Sequence, residues 1–188
     1  MSSKKRLFHT LRLCSIRRSS GRGKYLREKN IMNYVGKDVH FMPRKVPLYP
    51  ELIKLHDNVR IASKVTFITH DGVHNMLNNK YGQKEFQEKI GCIEIEKNVF
   101  VGSNTTIMYD VKIGANSIVA AGSIVTKDVP KNSIVAGVPA KVIGTLDDYV
   151  EKLRFSDNVY PAELAPKKQK LKQDLIEQMW SRFNNVRK

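Results

Sequence analysis

The sequence has few of the residues that stabilise secreted domains, bind metals or span membranes. Its only two cysteines, Cys14 and Cys92, are too few for a disulfide framework, so we expect reduced thiols and a cytoplasmic protein. No apolar run reaches the roughly 20 residues of a membrane span. None of the five histidines follows His74. Because a catalytic zinc needs three converging protein ligands, we expect no metal.

Acidic residues are also scarce, with 18 Asp or Glu against 33 Lys or Arg and a formal charge of +15. Residues 1–30 hold ten basic residues and one acid, residues 31–144 hold fourteen and ten, and residues 145–188 hold nine and seven. A nucleic-acid-binding domain would carry this excess along one face of its folded body. Concentration in one arm is more typical of a solvated surface, so we expect no nucleic-acid partner. A non-enzymatic basic binding module is kept as an alternative.

What the sequence does contain is a repeat of six residues. An aliphatic residue occupies every sixth position in the series Ile95, Val101, Ile107, Ile113, Val119 and Val125. A smaller or β-branched residue follows four positions after each of the first five, at Val99, Thr105, Val111, Ser117 and Ser123. This period fits neither a helix nor an isolated strand and is typical of a parallel β-solenoid, in which each hexad is a short strand plus a corner. The same register occurs earlier, at Val35, Phe41, Tyr49, Leu55, Ile61 and Phe67, with a slip of two residues around Pro43 and Pro47.

The repeat divides the chain into three segments. We expect a basic, partly helical N-terminal arm over residues 1–33, a solenoid over 34–144, and C-terminal helices with a basic tail over 145–188. The hexad register is lost over residues 73–94, which we expect to leave the solenoid as one long excursion loop. A loop of this length in a compact repeat domain is usually functional or disordered.

Both terminal segments carry helical patterns. Residues 4–18 place Leu7, Phe8, Leu11 and Cys14 at helical spacing. This pattern fits an amphipathic helix on an anionic membrane, a helix packed on the solenoid, or a flexible arm. Ser19–Gly21 predicts a break, followed by a second helix from Arg22 to Ile31. Near the other end, Thr145 with Asp148 three residues later predicts the start of a helix. A further stripe follows at Leu171, Leu175, Met179 and Phe183.

His70 is the candidate catalytic residue. It stands at a corner position immediately before the excursion, within the run Phe67–Gly72. A neutral imidazole there could accept a proton from a hydroxyl group, as general-base catalysis at neutral pH requires. Three groups are candidates to orient the ring: the side chain of Asp71, the side chain of Asn58, or a backbone carbonyl.

The segment from Ile113 to Pro130, followed by Ala136 to Ile143, resembles the closing coils of hexapeptide-repeat acyltransferases. Thr69 to Gly72 matches the Thr-His-Asp-Gly motif of the bacterial O-acetyltransferases that act on capsular or cell-surface polysaccharides. The resemblance covers roughly Gly36 to Gly144. It implies a left-handed parallel β-helix, a homotrimer, and acetyl-CoA held between neighbouring subunits. The sequence departs from the family at Tyr109–Asp110, where many relatives have Pro-Gly, and at Glu96, where glycine is common.

The resemblance also implies roles for individual residues. His70 matches the catalytic base, and the acceptor would be a hydroxyl of a sugar or polysaccharide precursor, with His74 and Phe100 in the acceptor pocket. The residues expected to contact acetyl-CoA are Ser103, Ala120, Ala121, Thr126, Lys127 and Lys141. Small side chains let a pantetheine arm lie against the backbone, while the lysines can neutralise phosphates as point charges, with Lys141 at the 3′-phosphate. Acetyltransferases of serine, amino sugars or antibiotics remain alternatives, as does a trimeric β-helix carbonic anhydrase using His70 and His74.

Overall fold

The computed structural model describes residues 1–155, 160–166 and 170–187. The chain forms two compact units, Met1–Tyr149 and Val150–Lys188. The helices are α1 (Ser3–Ser15), α2 (Ser19–Glu28), α3 (Val73–Tyr81), α4 (Leu146–Arg154) and α5 (Gln173–Asn185). The strands are β1 (Tyr34–Val35), β2 (His40–Phe41), β3 (Ile53–Leu55), β4 (Arg60–Ile61), β5 (Thr66–Phe67), β6 (His70–Asp71), β7 (Lys89–Ile90), β8 (Ile93–Ile95), β9 (Phe100–Val101), β10 (Thr106–Ile107), β11 (Val111–Ile113), β12 (Ile118–Val119), β13 (Ile124–Val125), β14 (Ser133–Gly137) and β15 (Ala140–Thr145).

The first unit is built on three sheets of parallel strands that the chain visits in turn. Their orders are β1-β3-β8-β11, β2-β4-β9-β12-β14 and β5-β10-β13. From β8 to β13, strands in consecutive coils pair eighteen residues apart, as Ile95 pairs with Ile113 and Val101 with Val119. Three hexads per coil produce this spacing, so the predicted parallel repeat is confirmed. At the end of the stack, β15 returns antiparallel to β14.

The hexad residues form a continuous core. The six aliphatic residues from Ile95 to Val125 are at most 1% exposed, and their partners four positions on are buried as well. Burying an aliphatic side chain of this size contributes about 1.5–3 kcal/mol. The polar partners also fit this core because they hydrogen-bond to backbone carbonyls, as Ser123 Oγ does to Ala120 O at 2.7 Å. Tyr49 was wrongly assigned to this register: it is only half-buried and has a left-handed φ of 49°.

At the corners, successive coils are joined by side-chain hydrogen bonds at one position and approach each other closely at another. Asn58, Asn98 and Asn116 all have φ between 55° and 59°, a conformation that asparagine tolerates better than most residues. The Asn58 amide donates to Asn98 Oδ1 at 3.0 Å, and the Asn98 amide donates to Asn116 Oδ1 at 2.9 Å. At another corner, a Cβ on Gly102 would lie 2.4 Å from the backbone nitrogen of Ala121. Only glycine allows these two coils to approach so closely.

The N-terminal helices contribute to the core through residues that the sequence patterns did not indicate. In α1 the buried residues are His9 and Leu13, while the predicted stripe of Leu7, Phe8 and Leu11 is 60–63% exposed. The helix therefore packs on the repeat, but through a different face from the one expected.

The junction between α1 and α2 also differs from the prediction. The break lies at residues 16–18, and α2 begins at Ser19 rather than Arg22. Arg22 is 1% exposed. Its Nε donates to Phe41 O at 2.7 Å, and its Nη1 donates to Ile16 O at 2.6 Å and to Arg17 O at 3.1 Å. This buried guanidinium joins both helices to strand β2.

The excursion is more ordered and shorter than predicted. Val73–Tyr81 forms α3, and the residues Ile93 and Glu94, which were assigned to the loop, belong to β8 and pair with β3. An isolated antiparallel pair closes the base of the excursion, with His70 opposite Ile90. The pattern was missed because α3 has no buried residue that could give it an apolar stripe.

The C-terminal segment bears out the predicted helix start, because Thr145 Oγ1 accepts a hydrogen bond from the Asp148 N–H at 3.1 Å, one residue before α4. In the second unit, Trp180 and Phe183 of α5 make an edge-to-face contact. Parts of the predicted basic tail, residues 156–159, 167–169 and 188, lie outside the described residues. None of the helices in the described ranges combines the length and the apolarity that crossing a bilayer requires.

Candidate active site

His70 lies where the chain leaves the β5-β10-β13 sheet to enter the excursion. Its imidazole is half-buried, with the ring of Tyr49 edge-on at a centroid distance of 5.4 Å. The Nδ1 atom is buried and makes no hydrogen bond to any described residue. A buried polar atom without a partner is costly, so Nδ1 is an unused hydrogen-bonding group at this corner.

The residues on either side of His70 fix the backbone at this corner. The buried hydroxyl of Thr69 donates to the carbonyl of Leu48 at 2.7 Å. Asp71 accepts from the Tyr109 hydroxyl at 2.9 Å through Oδ2 and from the Val73 N–H at 3.1 Å through Oδ1. The Tyr109 hydrogen bond is the main reason why the pKa of Asp71 is lowered, followed by the Val73 N–H. Asp71 thus anchors the start of α3.

Neither predicted orienting side chain reaches the imidazole of His70. Asp71 uses both carboxylate oxygens for Tyr109 and Val73, and Asn58 belongs to the asparagine ladder at the corner between β3 and β4. The assignment of Asn58 as a supporting residue is therefore corrected. Asparagine occurs at this corner because it tolerates the left-handed backbone there.

Three residues that the sequence analysis did not select complete the surroundings of His70. The Tyr49 hydroxyl donates to Glu88 Oε2 at 3.0 Å, and this bond raises the pKa of the phenol. The bond between Tyr49 and Glu88 ties the excursion to the coil beside the imidazole. The third residue is Tyr109, which binds Asp71. Its only signal in the sequence was the departure from the Pro-Gly that many relatives have at this position.

Of the two residues predicted for the acceptor pocket, one lies near His70 in the single chain. His74 occupies the first turn of α3, half-buried, with a buried Nδ1 that has no partner among the described residues. Phe100 is 47% exposed on β9, between Arg60 and Ile118 on neighbouring strands. This sheet is not the one that leads to His70, which follows β5.

The predicted acetyl-CoA residues fall into two groups on the later coils. Ser103 and Ala121 occupy one corner, where Gly122 N donates to Ser103 O at 2.8 Å; Ala120 is half-buried and Ala121 exposed. Thr126 and Lys127 are exposed just after β13. Because β5, β10 and β13 are parallel and paired in register, these two residues lie at the edge formed by the carboxyl ends of the strands, as His70 does.

The site also has exposed positive charge suited to phosphates. Lys127 follows β13, and Lys141 lies on β15 opposite Ala136. Both side chains are exposed, and neither takes part in an ion pair within the described ranges. An exposed lysine without a counter-ion can act as a point charge toward a phosphate.

The histidines do not converge as a zinc site would require. Across the described part of the chain, no group of three or more His, Cys, Asp or Glu side chains is arranged to hold a metal ion. The histidines other than His70 and His74 have partners elsewhere: His9 contacts Tyr25, His40 contacts Ser19 and His56 contacts Glu94.

Comparison with known proteins agrees with the repeated coils. Residues 93–127 match the family model described as bacterial transferase hexapeptide (six repeats). Galactoside O-acetyltransferase of Escherichia coli (strain K12) is 41% identical over 106 residues, which cover 56% of this chain and 50% of that protein. YvoF of Bacillus subtilis (strain 168) is 35% identical over 124 residues, covering 65% of this chain and 66% of that protein.

A solved structure has the same architecture. A maltose O-acetyltransferase from Clostridium difficile 630 superposes with a TM-score of 0.57 at 24% identity, covering 76% of this chain and 86% of that one. The chain belongs to the hexapeptide-repeat transferase family. It spans half the length of the galactoside O-acetyltransferase and 66% of the length of YvoF.

Proposed function

We propose that this protein is an acetyl-CoA-dependent O-acetyltransferase that acts on a sugar hydroxyl, with His70 as the general base. The observation that carries the proposal is that one edge of the β5-β10-β13 sheet holds both His70 and the exposed pair Thr126 and Lys127. A base and the residues suited to an acyl donor thus share one edge. The galactoside and maltose O-acetyltransferases among its relatives support a sugar as the acceptor.

The proposed reaction is a direct transfer. When bound, acetyl-CoA supplies the acetyl group as a thioester. His70 accepts the proton of the acceptor hydroxyl while the hydroxyl oxygen bonds to the acetyl carbon. As the carbon–sulfur bond of the thioester breaks, the imidazolium gives that proton to the departing sulfur. Backbone N–H groups near the cleft would stabilise the negative charge on the carbonyl oxygen. No covalent enzyme intermediate is needed.

We further propose that the functional unit is a homotrimer of left-handed β-helices. A partner subunit facing the His70 edge would place acetyl-CoA between neighbours, against Ser103, Ala120, Ala121, Thr126, Lys127 and Lys141. The same arrangement would bring Phe100 of one subunit to His70 of another. Action in the cytoplasm agrees with the two free thiols, and weak contact of α1 with an anionic membrane remains a prediction. A capsular or cell-surface polysaccharide precursor is the proposed acceptor class.

The test is acetyl transfer by His70→Ala, followed as release of free thiol with methyl β-galactoside as the first acceptor. Loss of a general base should lower kcat by on the order of a hundredfold or more, while calorimetry should show acetyl-CoA binding near the wild-type level. His56→Ala removes an imidazole bonded to Glu94 on another sheet and should retain activity. Undiminished turnover in His70→Ala would remove His70 from the role. Serine, amino sugars and aminoglycosides as parallel acceptors would reveal the alternative substrates.

A further inference from the structure

A groove of about 900 Å³ runs along the β5 face of the first unit and includes His70. One wall is the stretch from Ser63 to Ile68, with His70 at its C-terminal end, and the facing walls are α1 and the insertion 42–48. The volume is within the range of small-molecule sites. The groove reaches the proposed base, and none of the residues predicted to contact acetyl-CoA lines it.

The insertion that forms one wall is held in place by hydrogen bonds at both ends. The Val46 N–H donates to Thr10 Oγ1 of α1 at 3.2 Å, and Val46 is fully buried. The carbonyl of Leu48 accepts from Thr69, the residue before His70. Arg44 Nη1 donates to the Cys14 carbonyl at 2.6 Å. The groove is therefore formed before any ligand binds, which lowers the cost of binding.

The charged residues that line the groove are all basic. They are Arg6, Arg44, Lys45 and Lys64, and no aspartate or glutamate joins them in the lining. Within the described residues none of the four takes part in an ion pair. Cations kept close together without counter-ions create a positive potential that attracts anions.

The cations and the base are separated along the same wall. Lys64 and His70 are six residues apart, so at about 3.3 Å per residue their Cα atoms lie at most roughly 20 Å from each other. A lysine side chain is long and flexible enough to span part of that distance. A ligand that reaches both would therefore have an anionic group at one end and a free hydroxyl at the other.

We propose that this groove binds the acceptor, and that the acceptor is a sugar joined to a phosphate or diphosphate. The phosphate would lie against Lys45 and Lys64, and a ring hydroxyl would lie at His70. This inference rests on the proposed function, since it places the acceptor of that same reaction. A lysine binds phosphate as a point charge, which suits phosphoryl groups attached to different carriers.

The experiment compares three acceptors that share one sugar: methyl β-galactoside, galactose 1-phosphate and UDP-galactose. We expect a KM lower by on the order of tenfold for the phosphorylated acceptors, the effect of one charge-assisted hydrogen bond. The double variant Lys45→Gln with Lys64→Gln should remove that advantage and leave the KM values of methyl β-galactoside and acetyl-CoA unchanged. The control double variant, Lys97→Gln with Lys131→Gln, removes the same charge at exposed sites outside the groove and should behave as wild type.

Two further measurements identify the group that bears the phosphate and show which of the two proposals fails if the expected result is not obtained. Polyprenyl-diphosphate-linked galactose in detergent, compared with UDP-galactose by kcat/KM, identifies whether a lipid or a nucleotide bears the phosphate. Equal KM values for charged and neutral acceptors, or no response to the groove variant, would overturn the groove assignment while the acetyltransferase stands. If no acceptor is acetylated, the proposed function fails, and calorimetric titration of UDP-galactose into wild type and the groove variant still decides whether the anion site exists.

Discussion

Replacing Arg22 should undock the two N-terminal helices from the coils. Its guanidinium donates to the carbonyls of Phe41, Ile16 and Arg17, and each hydrogen bond from a charged donor contributes about 1.5–3 kcal/mol. The Ile16 and Arg17 carbonyls follow the end of α1 and can regain water when the helices separate. We therefore expect Arg22→Ala to cost about 3–5 kcal/mol, less than the sum of three bonds.

The variant Arg22→Met separates hydrogen bonding from packing. It keeps an apolar stem of similar length but leaves the carbonyls without a donor, so its stability should fall nearly as far as that of Arg22→Ala. Arg17→Ala removes the same charge from an exposed position and should stay within about 0.5 kcal/mol of wild type. Unfolding in urea, followed by circular dichroism, measures the free energy, and hydrogen exchange over residues 3–28 localises the loss.

A small effect would refute this reasoning. If Arg22→Met lies within about 1 kcal/mol of wild type, the buried hydrogen bonds contribute little beyond the packing of the side-chain stem. Because α1 forms a wall of the groove beside His70, a genuine undocking should also raise the KM of the acceptor without changing that of acetyl-CoA.

Two other predictions concern the coils. Gly102→Ala would place a Cβ 2.4 Å from a backbone nitrogen and should destabilise the protein by about 1–3 kcal/mol in thermal unfolding. The control is Gly144→Ala, whose Cβ would meet no atom within 4 Å and which should be close to neutral. Equal losses of stability in the two variants would contradict the close-packing explanation. The pKa of Glu96 is lowered chiefly by its hydrogen bond to Lys112 and then by a backbone N–H, so this stabilisation is present above about pH 4.3 and is lost as the pH falls through the lowered pKa. The stability difference between wild type and Lys112→Gln, from urea midpoints across a pH series, should therefore shrink on acidification; a constant difference would show that the pair does not stabilise the fold.

The coils were predictable because their core depends on one repeated local rule. Every hexad from Ile95 to Val125 buries its aliphatic residue in the same way, so the period alone specifies which side chains point inward. Tyr49 shows the limit of that rule: its position is set by a left-handed turn and by Glu88, 39 residues away in sequence. A periodic pattern cannot register a contact of that kind.

The elements outside the repeat were harder to predict for the same reason. Arg22 was assigned to a basic arm, because composition does not reveal that three carbonyls converge on a buried guanidinium. The exposed stripe on α1 was the most apolar face of the helix, yet His9 and Leu13 make the packing surface. For the site, His70 could be selected from its motif and position, whereas the groove depends on how the insertion folds against α1.

The excursion also changes the order in which contacts can form along the chain. From β8 to β13, after the excursion, strands pair across 18 residues, as Ile95 does with Ile113, whereas Ile53 pairs with Ile93 across 40. Closing the longer loop costs about 0.7 kcal/mol more in chain entropy. Pairs within the coils on either side of the excursion therefore form at a lower entropic cost than pairs that bridge it, since the earlier coils also pair across only 20 residues. The strand that leads to His70 belongs to the costlier class, because Phe67 pairs with Ile107 across 40 residues.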